Sequence, residues 1–136
     1  MGASLMWMNW LSMARESVAA AGACQRRGCA RSALSRSYYA AFAGATAYLL
    51  QSGESPRSDL GTWSHDSLGV TLESVMRRNR RDRQAPEAAA MVRRLYAMRV
   101  EADYSPAATI GPGSAVAAIR WVRSFLLSVW PREQWP

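Results

Sequence analysis

The chain has 136 residues, 49% of them apolar, and a formal net charge of +7. That length and composition fit a single small helical or mixed domain, residues 1–136, able to bury most of its apolar surface. Two cysteines exclude a disulfide framework, one histidine excludes a His-rich metal site, and no apolar run is long enough to span a membrane. All 17 basic residues are arginine. A GC-rich genome explains the missing lysines most simply, although arginine also suits bidentate phosphate contacts, so the charge is compatible with RNA.

In chain order, the first helix starts near Ser4, with Trp7, Trp10, Ala14, Val18 and Ala21 at helical spacing. Gly22 and the stretch Gln25-Arg26-Arg27-Gly28 are expected to break it. The second helix runs from about Cys29 to Gln51 and is capped by Gly53. Residues 53–62 form a turn-rich loop. Ser64 is the N-cap of the third helix, Asp66 complements its dipole and Trp63 staples onto Leu68. Leu68, Leu72, Val75 and Met76 give it a core face. It ends in Arg77-Arg78-Asn79-Arg80-Arg81-Asp82-Arg83.

The fourth helix begins at Pro86, with Ala88, Met91, Val92, Leu95, Met98 and Ala102 facing inward. Pro106 and the cluster Gly111-Pro112-Gly113 separate it from the fifth, where Val116, Ile119, Arg123, Leu126 and Trp130 face one way. No strand pattern is present, so the expected fold is all-α, an up-and-down bundle of four to five helices. The N-terminus lacks a basic region followed by an apolar run, which leads us to expect a cytoplasmic protein.

The segment Ser35 to Leu50 carries the most information. Ala33, Ser37, Ala41, Gly44 and Ala47 line one side of the second helix with small side chains and invite a close neighbour. The pattern Ser-Arg-Ser-Tyr-Tyr-Ala-Ala-Phe, residues 35 to 42, resembles the second-helix signature of the HEPN domains, which are small helical bundles. Trp63-Ser64-His65 is similar to the Ser-His that opens the next helix in that family, and Arg99 to Tyr104 to the arginine–Ala-Asp-Tyr stretch closing the following one. The matching order covers roughly residues 10 to 130.

The resemblance implies that Arg36 is one half of an active pair, because many HEPN proteins are dimeric RNA-cutting toxins or defence effectors. Their sites join an arginine to a histidine four to six residues on. Relatives with this version of the motif place that histidine where Ala43 stands here. Seven positions from Arg36 is almost two turns, about 10 Å along the axis, so the two residues are expected to face the same way. Cleavage through the 2′-hydroxyl needs a proton-moving group near neutral pH, and alanine supplies none. The stand-in candidates are His65 and Tyr104.

Each candidate also has a plainer role. Tyr38 and Tyr39 are packing residues in that view, Arg36 pairs with Asp103, and Arg99 pairs with Asp103 four residues on. His65 is then a first-turn helix residue. Alternatively Tyr39, Arg99 and Asp103 line one cleft with Arg36 and bind substrate. Arg77, Arg78, Arg80 and Arg81 are either a solvated helix end or a track for an RNA backbone. No glycine-rich phosphate loop and no Gly-x-Ser-x-Gly elbow occur, and no cofactor is implied.

Three functional classes compete. The expected one is a HEPN module of a toxin–antitoxin or defence-type system with a degenerate ribonuclease site, which binds RNA or a nucleotide or pairs with a nucleotidyltransferase-type antitoxin. The others are an active metal-independent ribonuclease and a purely structural assembly subunit. A homodimer, or a heteromer with a related domain, is expected through the second and fourth helices.

Overall fold

The computed structural model describes residues 2–56 and 61–130. Five helices follow one another: α1 (Gly2–Arg26), α2 (Ala30–Gln51), α3 (His65–Arg78), α4 (Ala85–Tyr104) and α5 (Pro112–Val129). No strand occurs among the described residues, so the all-helical expectation holds. None of the described helices is long and apolar enough to cross a membrane.

Helix α2 is the centre of the bundle. It packs against α1, α4 and α5, while α3 leans mainly on α4. Every residue from Ala40 to Leu49 is buried. Ten consecutive buried positions require neighbours on all sides, and small side chains make that density attainable. A Cβ on Gly44 would lie 2.4 Å from Leu126 Cδ2 and 3.9 Å from the Ala14 Cβ, so α1 and α5 both press onto this face. The Trp130 indole, fully buried, donates from Nε1 to the Gly44 carbonyl at 3.0 Å and stacks on Trp7 at 5.4 Å. The small-residue face is therefore consumed within the chain.

Local signals fix most helix ends. Ser64 Oγ accepts from the Ser67 N–H at 3.2 Å, the expected N-cap bond. Trp63 and Leu68 are buried in the same core cluster. Gly53 takes φ 89° and closes α2. Two boundaries need correction. Gly22 does not break α1, which continues through it to Arg26; the stop comes at Gly28, with φ 78°. The buried stripe of α5 is rotated by about one position, to Ala115, Ala118, Ile119, Val122, Phe125, Leu126 and Val129. Val116 and Arg123 face solvent. Their 3–4 spacing with Ile119 and Leu126 is helical, but a competing stripe one residue away buries more apolar surface.

Candidate functional site

The first residue of α3 is fixed by its cap. With Ser64 holding the N-terminus, His65 enters the first turn and lies against α2 and α4. Its ring stacks on Tyr96 at 4.9 Å with 13° between planes, and packs on Phe42 and Tyr38 at 5.5 Å each. The Tyr38 hydroxyl and His65 Nδ1 are 2.5 Å apart, a short hydrogen bond. Three rings from two helices therefore hold one imidazole, and one hydroxyl fixes its Nδ1 side.

Next to this cluster stands a pair of arginines. Tyr39 meets Tyr38 edge-on at 5.4 Å. The guanidinium of Arg99 lies 5.3 Å from the Tyr39 ring, and that of Arg36 lies 5.8 Å from it, both within cation–π range. Arg99 is also 5.5 Å from the Tyr104 ring. Tyr96, Arg99 and Asp103 follow at spacings of three and four on α4, which puts them on one face. The site residues of α2, α3 and α4 thus meet at the end of the bundle where α3 starts and α4 finishes.

Charges in this corner are set by burial and by one another. Burial, then Arg99, pushes His65 below its usual 6.5, with Asp66 opposing weakly. The imidazole is therefore neutral near pH 7. Burial, reinforced by Tyr96 and Tyr39, holds the Tyr38 phenol well above the usual tyrosine range, so it stays protonated. For Arg99 burial works against the charge, but Tyr39, Tyr104 and Asp103 outweigh it and the guanidinium stays charged. Its Nε, buried, lies 2.9 Å from Asp103 Oδ2, an ion pair that helps hold the charge.

Two sequence readings of Arg36 change. Arg36 is exposed and does not pair with Asp103. Asp103 takes Arg99 instead, and accepts from Ser35 Oγ at 3.3 Å. Arg36 and Ala43 do not share an open face either. Ala43 is 3% exposed, inside the core cluster. The helical spacing was right, but α2 dives into the bundle between the two positions. An imidazole at 43 would meet packed side chains in this fold, whereas His65 lies beside the arginines. Tyr104 is 67% exposed and reaches the site only through its ring contact with Arg99.

The arginine run lies elsewhere. His65 opens α3 and Arg78 closes it, about 20 Å apart along the axis. Arg77 pairs with Glu73 at 3.2 Å and Arg78 with Glu54 at 2.6 Å. Arg81 donates Nη1 to the Val129 carbonyl at 2.8 Å and Nη2 to that of Ser128, and stands 5.6 Å from the Tyr48 ring. It caps the C-terminus of α5, where free carbonyls and the helix dipole attract a cation. Arg80 is exposed, with φ 62°. The structure does not join this run to the His65 corner.

Sequence reasoning missed three members of the site's framework. Tyr96 and Phe42 wall in His65 but look like ordinary stripe residues. Tyr96 stands three positions before Arg99, a spacing that would have placed it on the same face. Arg31 was overlooked as well. It donates to the carbonyls of Ala102, Ser105, Pro106 and Ala108 at 2.8–3.3 Å, and so holds the end of α4 that bears Asp103 and Tyr104.

A family model described as "HEPN domain" matches residues 7–130. No curated protein and no solved structure matches the chain.

Proposed function

The chain belongs to the HEPN domain family, and from that premise we propose that it is an RNA- or nucleotide-binding module of a toxin–antitoxin or defence-type system. At family level, membership supports a nuclease-, RNA- or toxin–antitoxin-type module. The observation that carries the finer reading is the pair Arg36 and Arg99 flanking Tyr39, beside a neutral His65. Two guanidinium groups recognise phosphate oxygens, and an accessible tyrosine ring offers a stacking surface for a base. Arg36 has no carboxylate partner among the described residues.

A second reading has one specific observation in its favour. His65 is held at Nδ1 by Tyr38, which leaves Nε2 as the nitrogen free of that bond, on a ring whose charge Arg99 opposes. A neutral, oriented imidazole near a cation is the proton-moving group of a metal-independent ribonuclease. In this version His65 replaces the histidine absent at position 43. Pairing with a nucleotidyltransferase-type antitoxin, or with a second copy, belongs to both readings and would use surfaces other than the small-residue face of α2.

Fluorescence anisotropy with a labelled single-stranded RNA, in EDTA and at several salt concentrations, separates these readings. The first predicts salt-dependent binding of intact RNA, with affinity lowered about tenfold or more by Arg99→Ala and several-fold by Arg36→Ala. Cleavage in EDTA that disappears with His65→Gln establishes the second. Failure to bind RNA or nucleotides at low salt rejects both.

A further inference from the structure

The turn between α1 and α2 holds two thiols that the ligand site does not use. Gly28 takes φ 78°, its N–H donates to the Gln25 carbonyl at 3.1 Å, and the Cys29 N–H donates to the Cys24 carbonyl at 2.8 Å. This pair of bonds, with glycine in the left-handed conformation, is the Schellman ending of a helix. In that motif the residues at the two ends of the longer bond stand close, and their side chains commonly touch. Those residues here are Cys24 and Cys29.

Covalent geometry bounds their separation. A carbonyl oxygen lies about 2.4 Å from its own Cα, and a backbone nitrogen about 1.5 Å from its own. Added to the 2.8 Å hydrogen bond, these place the two Cα atoms at most about 6.7 Å apart. Disulfides span Cα separations of about 4.4–6.8 Å. Both thiols are free; Cys29 is exposed and Cys24 half-buried.

We propose that Cys24 and Cys29 form a reversible disulfide site, oxidised by exchange with a small-molecule disulfide. The exposed Cys29 thiolate attacks one sulfur of the external disulfide, forming a mixed disulfide and releasing one thiolate. The Cys24 thiolate then attacks the Cys29 sulfur and displaces the second external thiolate. The protein loses two electrons and two protons; the reagent gains them and leaves as two thiols. The bridge pins the end of α1 to the residue preceding α2. Arg31 stands two positions further on, where it clamps the end of α4, so oxidation stiffens the corner that carries Asp103 and Tyr104. The turn already sets the spacing, so the native fold favours the bridge over the unfolded chain, and by linkage the bridge stabilises the fold.

The test equilibrates the full chain with mixtures of oxidised and reduced glutathione, in native buffer and in concentrated urea, followed by alkylation and intact-mass analysis. The expected product is lighter by two hydrogens, is reversed by dithiothreitol, and maps to Cys24–Cys29. Its effective concentration in native buffer should exceed that in urea by about tenfold or more. Cys24→Ser and Cys29→Ser, each shown folded by circular dichroism, should stop at the mixed disulfide. A higher Tm for the oxidised chain than for the reduced chain is the second expected readout. A native protein that accumulates only mixed disulfide, that bridges less readily than the urea-unfolded chain, or whose Tm falls on oxidation overturns the proposal.

Discussion

Arg77, Arg78 and Arg81, where α3 ends, each hold a partner within the chain: Glu73, Glu54 and the last carbonyls of α5. Arg36 and Arg99, where α3 begins, flank an aromatic ring beside the only imidazole. The first group is denser in the sequence, with five arginines in seven residues. The second holds Arg36, which has no carboxylate partner among the described residues, and Arg99, which is paired with Asp103. A guanidinium bound to its own helix end or to a carboxylate must give up that partner before it can serve a phosphate, so local charge density alone does not rank the two ends.

The contrast can be sharpened by substitutions at both ends and between them. The largest effect is expected at Ala43, which lies in the core between the two. Ala43→His inserts a polar ring at a position only 3% exposed, and should lower stability by about 3 kcal/mol or more in urea unfolding. It should restore no cleavage. A stable variant that cuts RNA would mean that the helix opens at this position and that the site lies along α2.

Arg81→Ala comes next. It leaves the Ser128 and Val129 carbonyls without their cation, and should cost about 1–3 kcal/mol of stability while RNA affinity, measured well below the melting temperature, stays within about twofold. A large loss of affinity without a loss of stability would reverse the roles of the two ends.

A smaller effect depends on pH. His65 is held below its usual 6.5 in the folded chain, so between those two values the unfolded chain binds a proton that the folded chain refuses. Stability should be complete above pH 6.5 and decline as pH falls through the folded value. His65→Gln should flatten that decline in thermal melts collected from pH 7 to pH 5. Arg99→Ala should raise the His65 titration midpoint, since it removes a neighbouring cation.

The smallest expected change is at Arg80, a non-glycine residue at φ 62° just beyond α3. Arg80→Gly relieves left-handed strain and should raise stability by about 1 kcal/mol, with RNA binding reduced no more than one lost surface charge accounts for. Differential scanning calorimetry and the anisotropy assay read the two parts separately.

Most of the fold was legible because its signals are local. The Ser64 cap, the Gly53 ending and the α3 and α4 stripes all follow from residues a few positions apart. Gly22 misled because an isolated glycine inside a helical pattern weakens the helix without ending it. The α5 face was misassigned by one position because Val116 and Leu126 fit one stripe while Ala115, Val122 and Phe125 fit another; tertiary burial chose between them. At the site, Arg36, Tyr39, His65, Arg99 and Asp103 were candidates from the sequence, but most of their partners were not. The Arg99–Asp103 pair was legible in its four-residue spacing, but enclosing His65 with Tyr96 and Phe42 depends on how α2, α3 and α4 cross, which no spacing within one helix encodes.

The sole histidine makes the central claim directly measurable, because His65 gives one imidazole Cε1–H signal in the proton NMR spectrum. Titrating the folded chain with a short single-stranded RNA should shift that signal and raise its titration midpoint, since phosphate near Arg36 and Arg99 favours the protonated ring. Both changes should persist in Arg77→Ala/Arg78→Ala and shrink in Arg36→Ala. RNA that binds tightly while the His65 signal stays in place, and that is released by the Arg77→Ala/Arg78→Ala change, would contradict a ligand site at this corner.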